Sequence, residues 1–110
     1  MKKPRFLGAL ALALTVVDGS VVAQHKTKST THTVSIKGFE FAPKQLKVRT
    51  GDTVIWTNED IVPHTATAKN GFDSKEIASK KSWTYKVTRK GKFLYTCTYH
   101  PTMRGELIVE

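Results

Sequence analysis

The 110-residue sequence contains one cysteine, at position 97. A single thiol cannot close an internal disulfide, so the bridge-stapled frameworks of many small secreted domains are excluded. Acidic residues are scarce, nine against eighteen lysines and arginines, for a formal charge of +9. The cations are scattered, and no block of five or six like charges occurs. Without such a block, an aromatic-basic platform or a reader motif, nucleic-acid binding is not expected. No apolar run reaches the ~20 residues of a membrane-spanning helix. The longest, Phe6 to Val17, is twelve residues. Internal repeats and low-complexity tracts are also missing, which leaves room for one small domain.

The apolar run follows the basic Met1-Lys2-Lys3-Pro4-Arg5 and precedes Val21-Val22-Ala23, which offers the residues a signal peptidase reads. Residues 1–23 are therefore expected to be a signal peptide. Cleavage after Ala23 leaves 87 residues, Gln24 to Glu110, in an exported, periplasmic compartment, with no stable membrane insertion. The cut removes three cations and one anion and lowers the charge to +7. A basic exported domain could meet nucleic acid, an anionic membrane or an acidic protein partner, and an acidic redox partner suits it best. Residues 24–31 (QHKTKSTT) are polar and read as a flexible lead, so the domain itself is expected over 32–110.

From His32 onward, short period-2 runs alternate with turn signals. Val34 and Ile36, Leu46 and Val48, Val54 and Trp56, then Trp83, Tyr85 and Val87 each share a strand face. Phe93, Tyr95 and Cys97 form another such set, and Gly105, Leu107 and Val109 close the series. Thr50-Gly51-Asp52, Asn70-Gly71 and Lys90-Gly91 read as turns. Seven or eight short strands in so small a domain predict an all-β Greek-key sandwich. Ser74 to Lys81 fits either an irregular crossing or one helical turn.

The chemistry concentrates near the end of the chain, in Cys97-Thr98-Tyr99-His100-Pro101-Thr102-Met103. Thiolate and thioether favour Cu(I), imidazole serves both oxidation states, and His2Cys with a weak axial Met marks electron-transfer copper sites. Strand alternation turns the Cys97 sulfur inward among aromatics, and Met103 is expected at the start of the returning strand. The loop between them then lies at one pole of the sandwich. A second histidine must come from elsewhere. His25 lies in the polar lead and His32 at the start of the first strand, and neither has a supporting context. His64 lies just past a core strand, in a loop stiffened by Pro63; alone it would read as a solvated histidine, and its weight comes from combination with Cys97, His100 and Met103.

Phe41-Ala42-Pro43, Gly51-Asp52-Thr53-Val54-Ile55-Trp56-Thr57-Asn58, Pro63-His64 and Gly91…Tyr95-Thr96-Cys97-Thr98-Tyr99-His100-Pro101-Thr102-Met103-Arg104-Gly105 together resemble the plastocyanin/azurin group of cupredoxins. The short Cys-x-x-His-x-x-Met loop is similar to that of amicyanin, and the resemblance covers roughly Thr31 to Glu110. It implies a blue copper protein with His64, Cys97 and His100 as in-plane ligands and Met103 as the weak axial one, holding one copper ion. It also implies a one-electron carrier rather than an enzyme, with His100 as electron port and Ile61, Pro63 and Pro101 as a small docking patch. Redox partners would dock transiently on a monomer. Amicyanin-like proteins typically carry Asn after the first histidine ligand, where it ties the ligand loops together. Here Thr65 stands there, with its hydroxyl and backbone N–H available for that tie, and Asn58 offers a second polar tie.

Other readings use the same residues. A periplasmic copper-binding or copper-delivery protein would share the ligands but exchange its metal. A copper oxidase needs an open coordination position or more copper ions, and no spare histidine cluster is evident. Zinc could take two His and a Cys, but Met103 would then be a wasted donor.

Overall fold

The computed structural model describes residues 28–110. The expected signal peptide (1–23) and His25 lie outside the described residues. Seven strands and no helix form among the described residues: β1 (Thr31–Lys37), β2 (Glu40–Ala42), β3 (Gln45–Val48), β4 (Thr53–Asn58), β5 (Ser82–Lys86), β6 (Gly91–Cys97) and β7 (His100–Val109). They build two sheets, ordered β2-β1-β4-β5 and β3-β7-β6. Both sheets are mixed, because β1 runs parallel to β4 and β3 parallel to β7 while the remaining pairs are antiparallel.

The period-2 residues face one another across this sandwich. Val34, Ile36, Val54 and Trp56 from one sheet and Tyr95, Cys97, Leu107 and Val109 from the other are all buried. Trp56 meets Tyr95 edge-on with ring centroids 5.4 Å apart, so the two largest buried side chains join the layers. Gly105 is required beside them. A Cβ there would overlap the phenol ring of Tyr95, and only a missing side chain lets β7 pass that close. Gly51, with φ of 94°, makes the turn between β3 and β4 that the sequence signalled.

Two segments resolve the ambiguities left by sequence. Ser74 to Lys81 is an irregular crossing, held by His64 N–H to Ile77 O at 3.1 Å and Ile77 N–H to His64 O at 2.7 Å. The segment from Cys97 to Met103 is tighter than an open polar loop. Only Thr98 and Tyr99 form its turn, β7 already begins at His100, and Cys97 pairs with His100 across a register shift at Thr96 and Cys97. Met103 therefore lies within the strand rather than opening it. The reason is spacing: two residues between Cys97 and His100 suffice only for a hairpin turn.

Candidate metal centre

Each element brings its side chain to one pole for a local reason. Cys97 ends β6, where alternation turns it into the core beside Tyr95, and its sulfur is fully buried. His100 follows after the two-residue turn and remains partly exposed. Met103 is three residues further along β7 and is buried. His64 comes from the loop after β4, whose path is fixed by Asn58. The buried Asn58 amide donates to Val62 O at 2.8 Å and Ile77 O at 3.0 Å, and its Oδ1 accepts the Asp60 N–H at 2.9 Å. Beyond His64, Thr67 and Thr96 exchange backbone hydrogen bonds of 2.9 and 3.0 Å, which pins the loop to β6 next to Cys97.

The outcome is a compact donor set. Cys97 Sγ lies 3.6 Å from His64 Nδ1 and 3.7 Å from His100 Nδ1, and the three ligand atoms all fall within 4.8 Å of one another. Nitrogen ligands near 2.0–2.1 Å and sulfur near 2.3 Å, set about 120° apart around one ion, give N···S separations of roughly 3.7 Å. The residues therefore fit a trigonal His2Cys metal site, and of the described histidines His64 and His100 are the two brought to Cys97. His32 is not. Its Nε2 lies 2.9 Å from Asp52 Oδ2, near the start of β1.

Hydrogen bonds around the donors fix their orientation. His64 Nε2 is 2.8 Å from Asp60 Oδ2, which leaves Nδ1 to face the sulfur. Asp60 also accepts the N–H groups of Gly38 at 2.8 Å and Phe39 at 3.0 Å. Burial by itself would raise its carboxyl, but those two N–H donors and the His64 ring hold it below the ordinary carboxylate range. Thr65 supplies both ties expected of it. Its N–H points at Cys97 Sγ at 3.3 Å, and its hydroxyl accepts the Thr98 N–H at 2.9 Å, joining the two ligand-bearing loops.

Phe39 completes the pole. It holds a left-handed φ of 61° and sets its ring edge-on to both histidines, at centroid distances of 4.8 Å to His100 and 5.1 Å to His64. One two-residue turn, Gly38-Phe39, thus grips His64 through Asp60 and both rings through Phe39. Sequence reasoning passed over Asp60 and Phe39. The available signals were a carboxylate four residues before a candidate ligand and a Gly-Phe pair beside a strand end. Phe39, Ile61, Pro63, Tyr99 and Pro101 are all exposed, giving an apolar rim on this pole. The Tyr99 hydroxyl donates to Glu76 at 3.1 Å, and that bond raises its pKa.

Comparison with known proteins agrees with this geometry. Residues 7–109 match the family described as the cupredoxin-like domain. Amicyanin-alpha of Methylorubrum extorquens is 26% identical over 94% of this chain and 92% of its own length. Amicyanin of Paracoccus denitrificans is 29% identical over 94% of this chain and 83% of its own. A solved structure of an amicyanin variant in its oxidized state superimposes with a TM-score of 0.69, at 29% identity, over 73% of this chain and 82% of that one. A copper-containing nitrite reductase from Thermus scotoductus gives a TM-score of 0.68 at 26% identity, covering 73% of this chain but only 22% of the reductase. This chain belongs to the cupredoxin-like family and is an amicyanin-like member of it, with a candidate site for a single copper ion.

Proposed function

We propose that the chain is a type 1 copper electron carrier in which His64 Nδ1, Cys97 Sγ and His100 Nδ1 would hold the copper ion, with the Met103 thioether as a further, weaker donor. The observation that carries this reading is the convergence of two imidazole nitrogens on one buried sulfur at 3.6 and 3.7 Å. Copper bound there supplies a one-electron Cu(II)/Cu(I) couple, which a mixed soft and borderline donor set supports in both states. The protein's part is to hold the donors still. Asp60 fixes the His64 ring, Thr65 fixes the sulfur, and the hairpin turn fixes His100, so little rearrangement accompanies electron transfer.

His100, partly exposed inside the rim of Phe39, Ile61, Tyr99 and Pro101, serves as the electron port. So small a rim suits short-lived docking. The charges around it are mixed. Lys37 faces Glu40 across the β1–β2 pairing, the Lys80 ammonium binds the Glu59 carbonyl, and Lys75 adjoins Glu76. An acidic redox partner would engage those lysines, and the chain works as a monomer because a lasting dimer over the rim would cover His100. A carrier role, rather than an enzymatic one, is favoured by amicyanins matching nearly the whole chain where the reductase is matched over 22% of its length. Residues 1–23 direct export to the periplasm, a reading that mass spectrometry of the mature N-terminus checks.

Adding Cu(II) to the purified protein should produce an intense blue band that vanishes in Cys97→Ser. A pale solution from the unsubstituted protein would sink the assignment. Met103→Leu should keep most of the colour while shifting the reduction potential, whereas loss of all copper would contradict its role as the weaker donor. Rapid surrender of copper to an apo-acceptor would mark a delivery protein instead.

A further inference from the structure

The strands run between two poles, and the one away from His100 is basic. It is formed where β1 and β4 begin and where β3, β5 and β7 end. Five exposed cations stand there: Lys28, Lys47, Arg49, Lys86 and Lys90. Lys28, Lys47 and Arg49 line a depression of about 410 Å³ with His32. Lys28, Arg49 and Lys90 line an adjoining one of about 280 Å³. Gly51 N–H to Val87 O at 2.8 Å and Val87 N–H to Asp52 O at 2.9 Å fasten the two cation-bearing turns into one surface. Of the acids nearby, Asp52 is buried and already engaged by His32, Thr30 and Arg49, which leaves Glu110 as the exposed one.

Two further observations indicate what this surface meets. The chain reaches β1 through Lys28, so Lys26 and the apolar run Phe6 to Val17 connect to the domain at this pole. With that run in a bilayer, the basic pole would be the end of the domain nearest the lipid. The surface also lacks an apolar anchor of the kind that centres a protein interface. Among the described residues, the exposed large apolar ones are Phe39, Ile61, Leu94 and Tyr99, none of which lines either depression.

We propose that the Lys28, Lys47, Arg49, Lys86 and Lys90 pole docks on anionic phospholipid headgroups, holding the protein at the membrane surface with His100 turned outward to its partners. Each cation close to an anionic leaflet strengthens attachment about fivefold, and salt screens the attraction beyond ~10 Å. Five of them give a reversible hold that leaves the copper pole free. Nothing in this arrangement depends on the metal.

Vesicles of phosphatidylcholine with and without phosphatidylglycerol, co-sedimented with the purified protein, test it. Binding should need phosphatidylglycerol, be released by raised salt, and weaken at least about tenfold in the double variant Arg49→Glu, Lys90→Glu. The matched pair Lys37→Glu, Lys80→Glu at the copper pole should leave it unchanged. Three results would overturn the proposal. One is equal binding to neutral vesicles. Another is an equal loss from the copper-pole pair, which would reduce the effect to net charge. The third is capture by polyglutamate but not by phosphatidylglycerol, which would assign the pole to an acidic protein.

Discussion

Each pole of the sandwich holds a histidine against an aspartate, and the two pairs look alike until their surroundings are compared. His64 Nε2 lies 2.8 Å from Asp60, and His32 Nε2 lies 2.9 Å from Asp52. Each carboxylate also accepts two backbone N–H groups, from Gly38 and Phe39 in one case and from Thr30 and Arg49 in the other. The difference is at the other ring nitrogen. For His64, whose side chain is 0% exposed, it faces the Cys97 sulfur, with a second imidazole beside it. The His32 side chain is 22% exposed and, among the described residues, joins no metal-binding cluster. A histidine-carboxylate pair is therefore a fastening, and only the company of its free nitrogen makes it a candidate ligand position.

The comparison breaks first if the two histidines can be exchanged in effect. His64→Ala should abolish the blue band on Cu(II) addition, while His32→Ala should leave it intact; a band lost in both would mean that the fold, not the site, was being read. The aspartates should then separate. Asp60→Ala frees the His64 ring and is expected to weaken copper retention about 10–100-fold in competition with a chelator. Asp52→Ala should leave retention alone but lower the unfolding midpoint by about 5 °C or more, since Thr30, Arg49 and His32 lose their shared acceptor.

Proton dependence sharpens the same contrast. The His32 hydrogen bond, followed by the Thr30 and Arg49 N–H groups, lowers the Asp52 carboxyl from its ordinary 3.8 to about 2. The folded protein therefore holds this proton less readily than the unfolded chain. The stabilisation is complete above about pH 4 and is lost as pH falls through about 2. Melting curves of the metal-free protein from roughly pH 5 to pH 2 should show that loss, and Asp52→Asn should flatten it. An unaltered acid limb in Asp52→Asn would remove the far-pole pair from the account.

What could be read from sequence divides along physical lines. The strand faces were legible because burial imposes a two-residue period, as with Val34 and Ile36 or Phe93, Tyr95 and Cys97. The residues now gathered at the copper pole were legible because Cys97, His100 and Met103 sit within one short segment and chemistry demanded one more imidazole. Asp60 and Phe39 were not. Their roles arise where the turn after β1 meets the loop after β4, a contact between distant segments that leaves no period and no spacing to detect. The same holds for Asp52, whose partners are 22, 20 and three residues away.

Thr65 offers the smallest and most selective test, because its two ties use different atoms. The hydroxyl accepts the Thr98 N–H at 2.9 Å and so braces the hairpin, while the backbone N–H points at the Cys97 sulfur at 3.3 Å. Thr65→Val removes the first and keeps the second. The Thr98 N–H then turns to water at an exposed turn, so the expected cost is about 1 kcal/mol, or some 4–8 °C in the unfolding midpoint. The blue band should stay in place, since the donors and the N–H on the sulfur are untouched. Thr65→Asn, the residue typical of amicyanin-like proteins at this position, should restore the brace and recover the midpoint. A displaced or bleached band in Thr65→Val would show instead that the hydroxyl tie sets the geometry of the metal centre.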